Sequence, residues 1–144
     1  MKPPSSPMTE KGIASRQLGA HEAQLARAQA VAHVGSWHLD IATGELKWSQ
    51  ETCRLFGVPP GSRMTYDDFL RAIHPEDRNK VDTAWQQAMQ GRPYDLEHRI
   101  VVAGEVKWLR ELAELDFTVE GKLRAGVGTV QDITARKEAE IALA

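Results

Sequence analysis

The sequence predicts an α+β domain: one five-stranded antiparallel sheet with short helices on one face and a flanking helix at each end. Three observations carry this. Segments with strand-type alternation come in two groups, two before a block of short helical segments and three after it. Turn residues separate the strands within each group: Ala42-Thr43-Gly44 in the first, Ala103-Gly104 and Glu120-Gly121-Lys122 in the second. The last strand passes through Asp132-Ile133-Thr134 directly into a charged helix, with no loop between them.

Met1 to Met8 (MKPPSSPM) is rich in Pro and Ser and is expected to be disordered. Thr9 can cap a helix running to His33, rich in Ala, Gln, Glu and Arg. Its apolar stripe is thin: Leu18, Leu25, Ala28 and Val31, interrupted by His21. Such a stripe suits a partner helix or a sheet face. Gly35 to Asp40 alternates Trp37 and Leu39 against Ser36 and His38, and Glu45 to Ser49 returns as the second strand of a hairpin.

Ser49 is placed to cap a short helix over Gln50 to Phe56, which Gly57-Val58-Pro59-Pro60-Gly61 ends. Thr65 opens a helix through Ile73, with acids in its first turn. His74-Pro75-Glu76-Asp77 restarts the chain into a helix that runs to Met89 and buries Val81, Ala84, Trp85, Ala88 and Met89. Strands follow over Tyr94 to Val101, Val106 to Phe117 and Lys122 to Gln131. The middle one is apolar on both faces, as for a strand covered on both sides. Gly126 and Gly128 share one face of the last strand and leave room there for a helix or a ligand.

Composition excludes several functions. The chain has 144 residues, 42% hydrophobic and 26% charged, with net charge −2, so no field draws nucleic acid or an anionic membrane. No apolar run approaches the roughly 20 residues that span a bilayer. The N-terminus lacks a secretory signal, so the expected compartment is the cytoplasm, with a membrane anchor possible elsewhere in a parent protein. A single cysteine, Cys53, excludes an internal disulfide and a cysteine zinc cage. No nucleophile–base pair, metal cluster or phosphate loop marks a stand-alone enzyme, so neither catalytic nor metal residues are assigned. Glu97, Glu111 and Glu114 lie on strands among Arg99 and Arg110, which points to cross-strand ion pairs.

The stretch Val34 to Glu140 resembles a PAS domain, of the PAS fold-3 type found in bacterial sensory proteins. The resemblance is carried by GSWHLDIATGELKWSQETCRLFG, HPEDR, EHRIVVAGEVKWLRE and GVGTVQDITARKEAE, in this order and spacing. It divides the chain into a tail (1–8), a flanking helix (9–33), the PAS domain (34–133) and the start of a linker helix (134–144). It implies a non-catalytic sensor or relay in a histidine kinase, or in a diguanylate cyclase or phosphodiesterase, that dimerises through its flanking helices and acts on a covalently attached effector. Lys107-Trp108 matches the basic-Trp pair of the family's central strand, and Asp132-Ile133-Thr134 its exit motif.

At that exit, Asp132 or Thr134 can cap the outgoing helix, Asp132 can pair with Arg136 four residues on, and Ile133 can anchor the joint in apolar surface. Candidates for a cavity between sheet and helices are Trp37, Cys53, Leu55, Phe56, Phe69, Ile73, Trp85 and His98. A small organic ligand there and a filled, ligand-free dimerisation spacer are both compatible with the residues. Flavin is not expected: Cys53 lies too early in the fold, and Thr52 and Gly57 replace the Asn and Gln that flank the photoreactive cysteine of the flavin-binding LOV branch. Haem is not expected either, because the long helix offers no histidine and His74 precedes it. His98 alternates with apolar residues and can meet a ligand or another core group.

Overall fold

The computed structural model describes the backbone of residues 10–144 and the side chains from residue 19 onward. The 1–8 tail, the Thr9 cap and the Leu18 side chain lie outside the described residues. In chain order the elements are α1 (Glu10–Ala32), β1 (Val34–Asp40), β2 (Glu45–Trp48), α2 (Gln50–Phe56), α3 (Tyr66–Ala72), a 3-10 turn (Pro75–Asp77), α4 (Arg78–Ala88), β3 (Tyr94–Val102), β4 (Glu105–Phe117), β5 (Leu123–Asp132) and α5 (Thr134–Leu143). The strands form one five-stranded sheet in the order β2-β1-β5-β4-β3, with every pairing antiparallel.

Local chemistry accounts for the element ends. The Ser49 hydroxyl accepts from Thr52 N and starts α2. Thr65 and Asp68 form a reciprocal capping box at α3. His74 accepts from Glu76 N through Nδ1 and opens the 3-10 turn. Ala103 and Gly104 both take positive φ, 49° and 81°, as the tight β3–β4 turn requires.

The core joins α2, α3 and α4 to the inner face of the sheet: Leu55, Phe56, Ile73, Val81, Ile100, Leu109 and Val130. Asp77 ties the 3-10 turn to β3, accepting from Arg99 N at 2.7 Å and from the Arg99 guanidinium, which holds its carboxyl down at about 2. The long strand β4 is covered unequally. Leu109 is fully buried on the inner face, while Val106 and Leu112 remain 47% and 40% exposed on the outer one. The expected cover on both sides is therefore incomplete, because α5 reaches only the Trp108 end of the outer face.

Three glycines permit close approaches. At Gly35 an added Cβ would lie 2.1 Å from Thr52 Oγ1 and 2.9 Å from Thr52 Cα, so α2 sits directly on the backbone of β1. At Gly128 it would lie 2.3 Å from the Trp37 indole, and at Gly126 it would lie 2.7 Å from Leu115 Cδ2. The room foreseen there for a helix or ligand is thus filled by side chains of neighbouring strands, because β1 pairs with β5 and sets Trp37 opposite Gly128. Replacing Gly35 with Ala should destabilise the domain by about 1–3 kcal/mol, the usual range for overpacking. A lower denaturant midpoint with an unchanged slope would show this, and an unchanged midpoint would refute the contact.

Candidate functional site

Two places carry functional geometry: the joint between β5 and α5, and a cavity between the sheet and the helices.

At the joint, Ile133 is the non-helical residue before α5 and is only 6% exposed. Asp132 Oδ1 accepts from Thr134 N at 2.9 Å and from the Thr134 hydroxyl at 2.6 Å. The Thr134 oxygen in turn accepts from Trp108 N at 3.0 Å, and Ile133 N donates to Trp108 O at 2.9 Å. Both backbone groups of Trp108 are therefore engaged by the chain that leaves the sheet. Asp132 satisfies the first amide of α5, whereas the Thr134 oxygen serves the central strand rather than the helix.

The expected Asp132–Arg136 pair does not form. Asp132 belongs to the strand, and the four-residue pairing geometry exists only within a helix. Arg136 instead pairs with Glu97 on β3, which also takes Lys137 Nζ at 3.1 Å. Lys137 lies over the Trp108 ring, its nitrogen 4.6 Å from the centroid. These cations hold the Glu97 carboxyl below its usual range, Lys137 contributing most. Glu97 thus bonds to α5 and not to a cross-strand arginine.

The N-terminal helix enters at the same corner. His33 ends α1 at φ 56°, and its carbonyl accepts from Asp132 N at 3.1 Å. Arg54 on α2 is held by Glu51 and reaches His33 Nδ1 at 3.3 Å. Nothing in the sequence marked His33 or Glu97 as partners of the joint, because both contacts depend on strand order. On α1, Leu25, Ala28 and Val31 are exposed.

The cavity has a volume of about 430 Å³. Of the eight candidates, Trp37, Phe69 and Trp85 line it. The other five do not: Cys53, Leu55, Phe56, Ile73 and His98 are packed into the core at 0–6% exposure. The walls come instead from the hairpin (Leu39, Leu46, Trp48), from Tyr66 and Met89 on the helical side, and from Tyr94, Glu111 and Leu123 on the sheet.

Aromatic rings pack edge and face around the space. Trp85 meets Trp37 at 6.2 Å and 65°, Tyr94 at 5.8 Å and 86°, and stacks on Tyr66 at 5.8 Å. Glu111 is buried at 2% exposure and accepts from the Tyr94 hydroxyl at 3.2 Å, so cross-strand pairing with an arginine is corrected here too. His98 Nε2 lies 3.0 Å from the same Oε2. That nitrogen has no well-directed hydrogen bond, so the two groups are close but poorly aligned. Burial pushes the Tyr94 phenol far up, and the charge of Glu111 adds to the shift.

The PAS fold family (PAS_3) matches residues 45–130. A blue-light-activated histidine kinase of Brucella ovis is 35% identical over 132 residues, covering 91% of this chain and 26% of its own length. This chain thus spans about a quarter of that relative. A sensory box histidine kinase/response regulator structure from Burkholderia thailandensis superposes with TM-score 0.69 at 27% identity, covering 85% of this chain and 92% of the other. The N-terminal domain of a diguanylate cyclase with PAS/PAC sensor from Marinobacter aquaeolei gives TM-score 0.65 at 22% identity, covering 72% and 98%, and shows the shared fold.

The kinase relative is named as activated by blue light, and an RNA-binding light-oxygen-voltage receptor is among the similar structures, with TM-score 0.61 at 25% identity, covering 72% of this chain and 30% of the other. The sequence-based expectation against a flavin does not stand beside them. Cys53 lies away from the aromatic walls of the cavity, on α2.

Replacing Thr134 with Ala should weaken the seating of α5 by about 1–2 kcal/mol, the worth of one or two part-buried hydrogen bonds. Faster amide exchange at Trp108 and in the first turn of α5, restored by Thr134→Ser, is the expected result. Glu97 gives a pH dependence with a definite sign. Its carboxyl is depressed in the folded state, so its hold on α5 is complete above the ordinary glutamate range and is lost as pH falls through the folded-state value. Exchange in α5 should accelerate in that acidic window, and Glu97→Gln should show the faster exchange already at neutral pH.

By its strand order β2-β1-β5-β4-β3, the helical cover on its inner face and the family match over residues 45–130, this chain belongs to the PAS fold family of sensory domains.

Proposed function

We propose that the chain is the sensory module of a longer signalling protein of the sensor histidine kinase kind. In this reading it holds a small organic ligand in the aromatic cavity and passes a change in the sheet to an attached effector through α5. The observation that carries it is the course of β4. This strand places Glu111 in the cavity wall and, three residues earlier, gives both backbone groups of Trp108 to the start of α5. A shift of β4 on ligand binding therefore reaches the outgoing helix through two hydrogen bonds. Such transmission needs a ligand that binds two arrangements of the strand unequally.

Dimerisation through the flanking helices is supported by the exposed Leu25, Ala28 and Val31 on α1 and by Leu112 and Val127, exposed on the sheet. The similarity to a quarter of a histidine kinase supports an effector attached to this module. Net charge −2 supports a partner set without nucleic acid. Among the described residues no helix is long and apolar enough to cross a membrane. The competing reading, a ligand-free dimerisation spacer in a diguanylate cyclase or phosphodiesterase, draws on the close packing of Cys53, Leu55, Phe56, Ile73 and His98.

Native mass spectrometry and absorption spectra of gently purified protein separate the two. The sensory reading expects an added organic mass of stoichiometric occupancy. A blue absorption band would identify that mass as a chromophore such as a flavin, and bare protein in every preparation would favour the spacer. In the full-length parent, Asp132→Ala should leave the domain folded and uncouple effector output from the stimulus. Output that still follows the stimulus would overturn the role of the joint.

A further inference from the structure

The chemistry of the cavity narrows what it can hold, on the reading that it holds a ligand at all. Its apolar lining includes six aromatic rings, those of Trp37, Trp48, Tyr66, Phe69, Trp85 and Tyr94. Its polar equipment is one-sided. Among the described residues that line it, none carries a cationic side chain or a carboxamide, and Glu111 alone carries a carboxylate. The other side-chain oxygens are already engaged: Tyr66 donates to Asp82 Oδ1 at 3.0 Å, Thr65 accepts from Asp68 N, and Tyr94 donates to Glu111 itself.

Glu111 is a carboxylate in an apolar wall, and among the described residues its contacts fall on one of its two oxygens. Both of its close neighbours, Tyr94 and His98, meet Oε2, while Oε1 takes part in neither contact. His98 is fully buried behind it on β3, with Nε2 lacking a hydrogen bond and Nδ1 only 3.4 Å from the Arg99 carbonyl. A buried carboxylate with a spare oxygen is costly unless a donor or a cation completes it. Aromatic faces around such a carboxylate provide what a cation prefers: ring quadrupoles at its sides and a formal negative charge at its end.

We infer that the cavity binds a small organic ammonium, its charged nitrogen on Glu111 Oε1 and its apolar body among Trp37, Trp85 and Tyr66. Phosphorylated or carboxylate ligands find no cation in the wall and meet Glu111 as a like charge. Burial raises both phenols; at Tyr66 the Asp82 carboxylate adds most of the rest, and at Tyr94 Glu111 does. Asp82, bonded to Tyr66, adds a second anion behind the wall.

The test is a matched series of equal shape: 2-phenylethylamine, 2-phenylethanol and phenylacetate, titrated into the protein by calorimetry and by quenching of tryptophan emission. The amine should bind on the order of tenfold tighter than the alcohol, the scale of one desolvated cation–aromatic or charge-assisted contact. Phenylacetate should not saturate, and Glu111→Gln should bring the amine down to the level of the alcohol. Equal affinity across the series, or preference for the acid, would overturn the charge preference and leave the cavity as a ligand site. Binding of none of the three would overturn both together. Undiminished amine affinity in a folded Glu111→Gln protein would overturn the assignment to Glu111, and if that variant does not fold, the wild-type series decides alone.

Discussion

The hydroxyl of Thr134 is the bond on which the architecture turns. It donates to Asp132 at the end of β5 and accepts from Trp108 in the middle of the sheet, so the first residue of α5 is fastened to two strands at once. Ile133 closes the same clasp through its own amide and through burial. The outer contacts, Arg136 and Lys137 on Glu97, are partly exposed ion pairs, each worth tenths of a kcal/mol to about 1. The clasp thus fixes where α5 begins, while weaker contacts set how it lies.

The rest of the domain gives that clasp a firm base. Gly35 lets α2 rest on β1, and Gly128 lets Trp37 lie flat across β5 toward the cavity. β1 and β5 are neighbours, so the end of α1 and the start of α5 share a corner, joined by the bond from Asp132 N to the His33 carbonyl. Movement of either flanking helix, or of β4 beside the cavity, therefore meets at the same few hydrogen bonds. Arg54, held by Glu51, braces His33 from α2.

What could be read in the sequence follows from the range of the forces involved. The Ser49 and Thr65 caps and the Ala103-Gly104 turn depend on residues within three or four positions, and the structure has them where the residue types place them. The sheet, the helical insertion and the strand-to-helix exit follow from periodicity and turn chemistry in the same way. Long-range facts did not follow. Trp37 filling the gap at Gly128 requires knowing that β1 lies beside β5. Glu97 taking Arg136 requires knowing that α5 starts above β3. The cavity candidates show the same limit: apolar residues such as Leu55 and Phe69 look alike in sequence, yet one is packed solid and the other faces open space, and only the assembled layers decide between them.

The most direct measurement is the distance between spin labels at Glu138 on α5 and Val101 near the end of β3, in protein diluted with unlabelled chains. Both sites are exposed, and the native Cys53 is buried. A single narrow distance distribution is the result predicted for a helix fastened through Thr134. A broad distribution in the unmodified joint, indicating a helix that swings freely about residue 133, would contradict it.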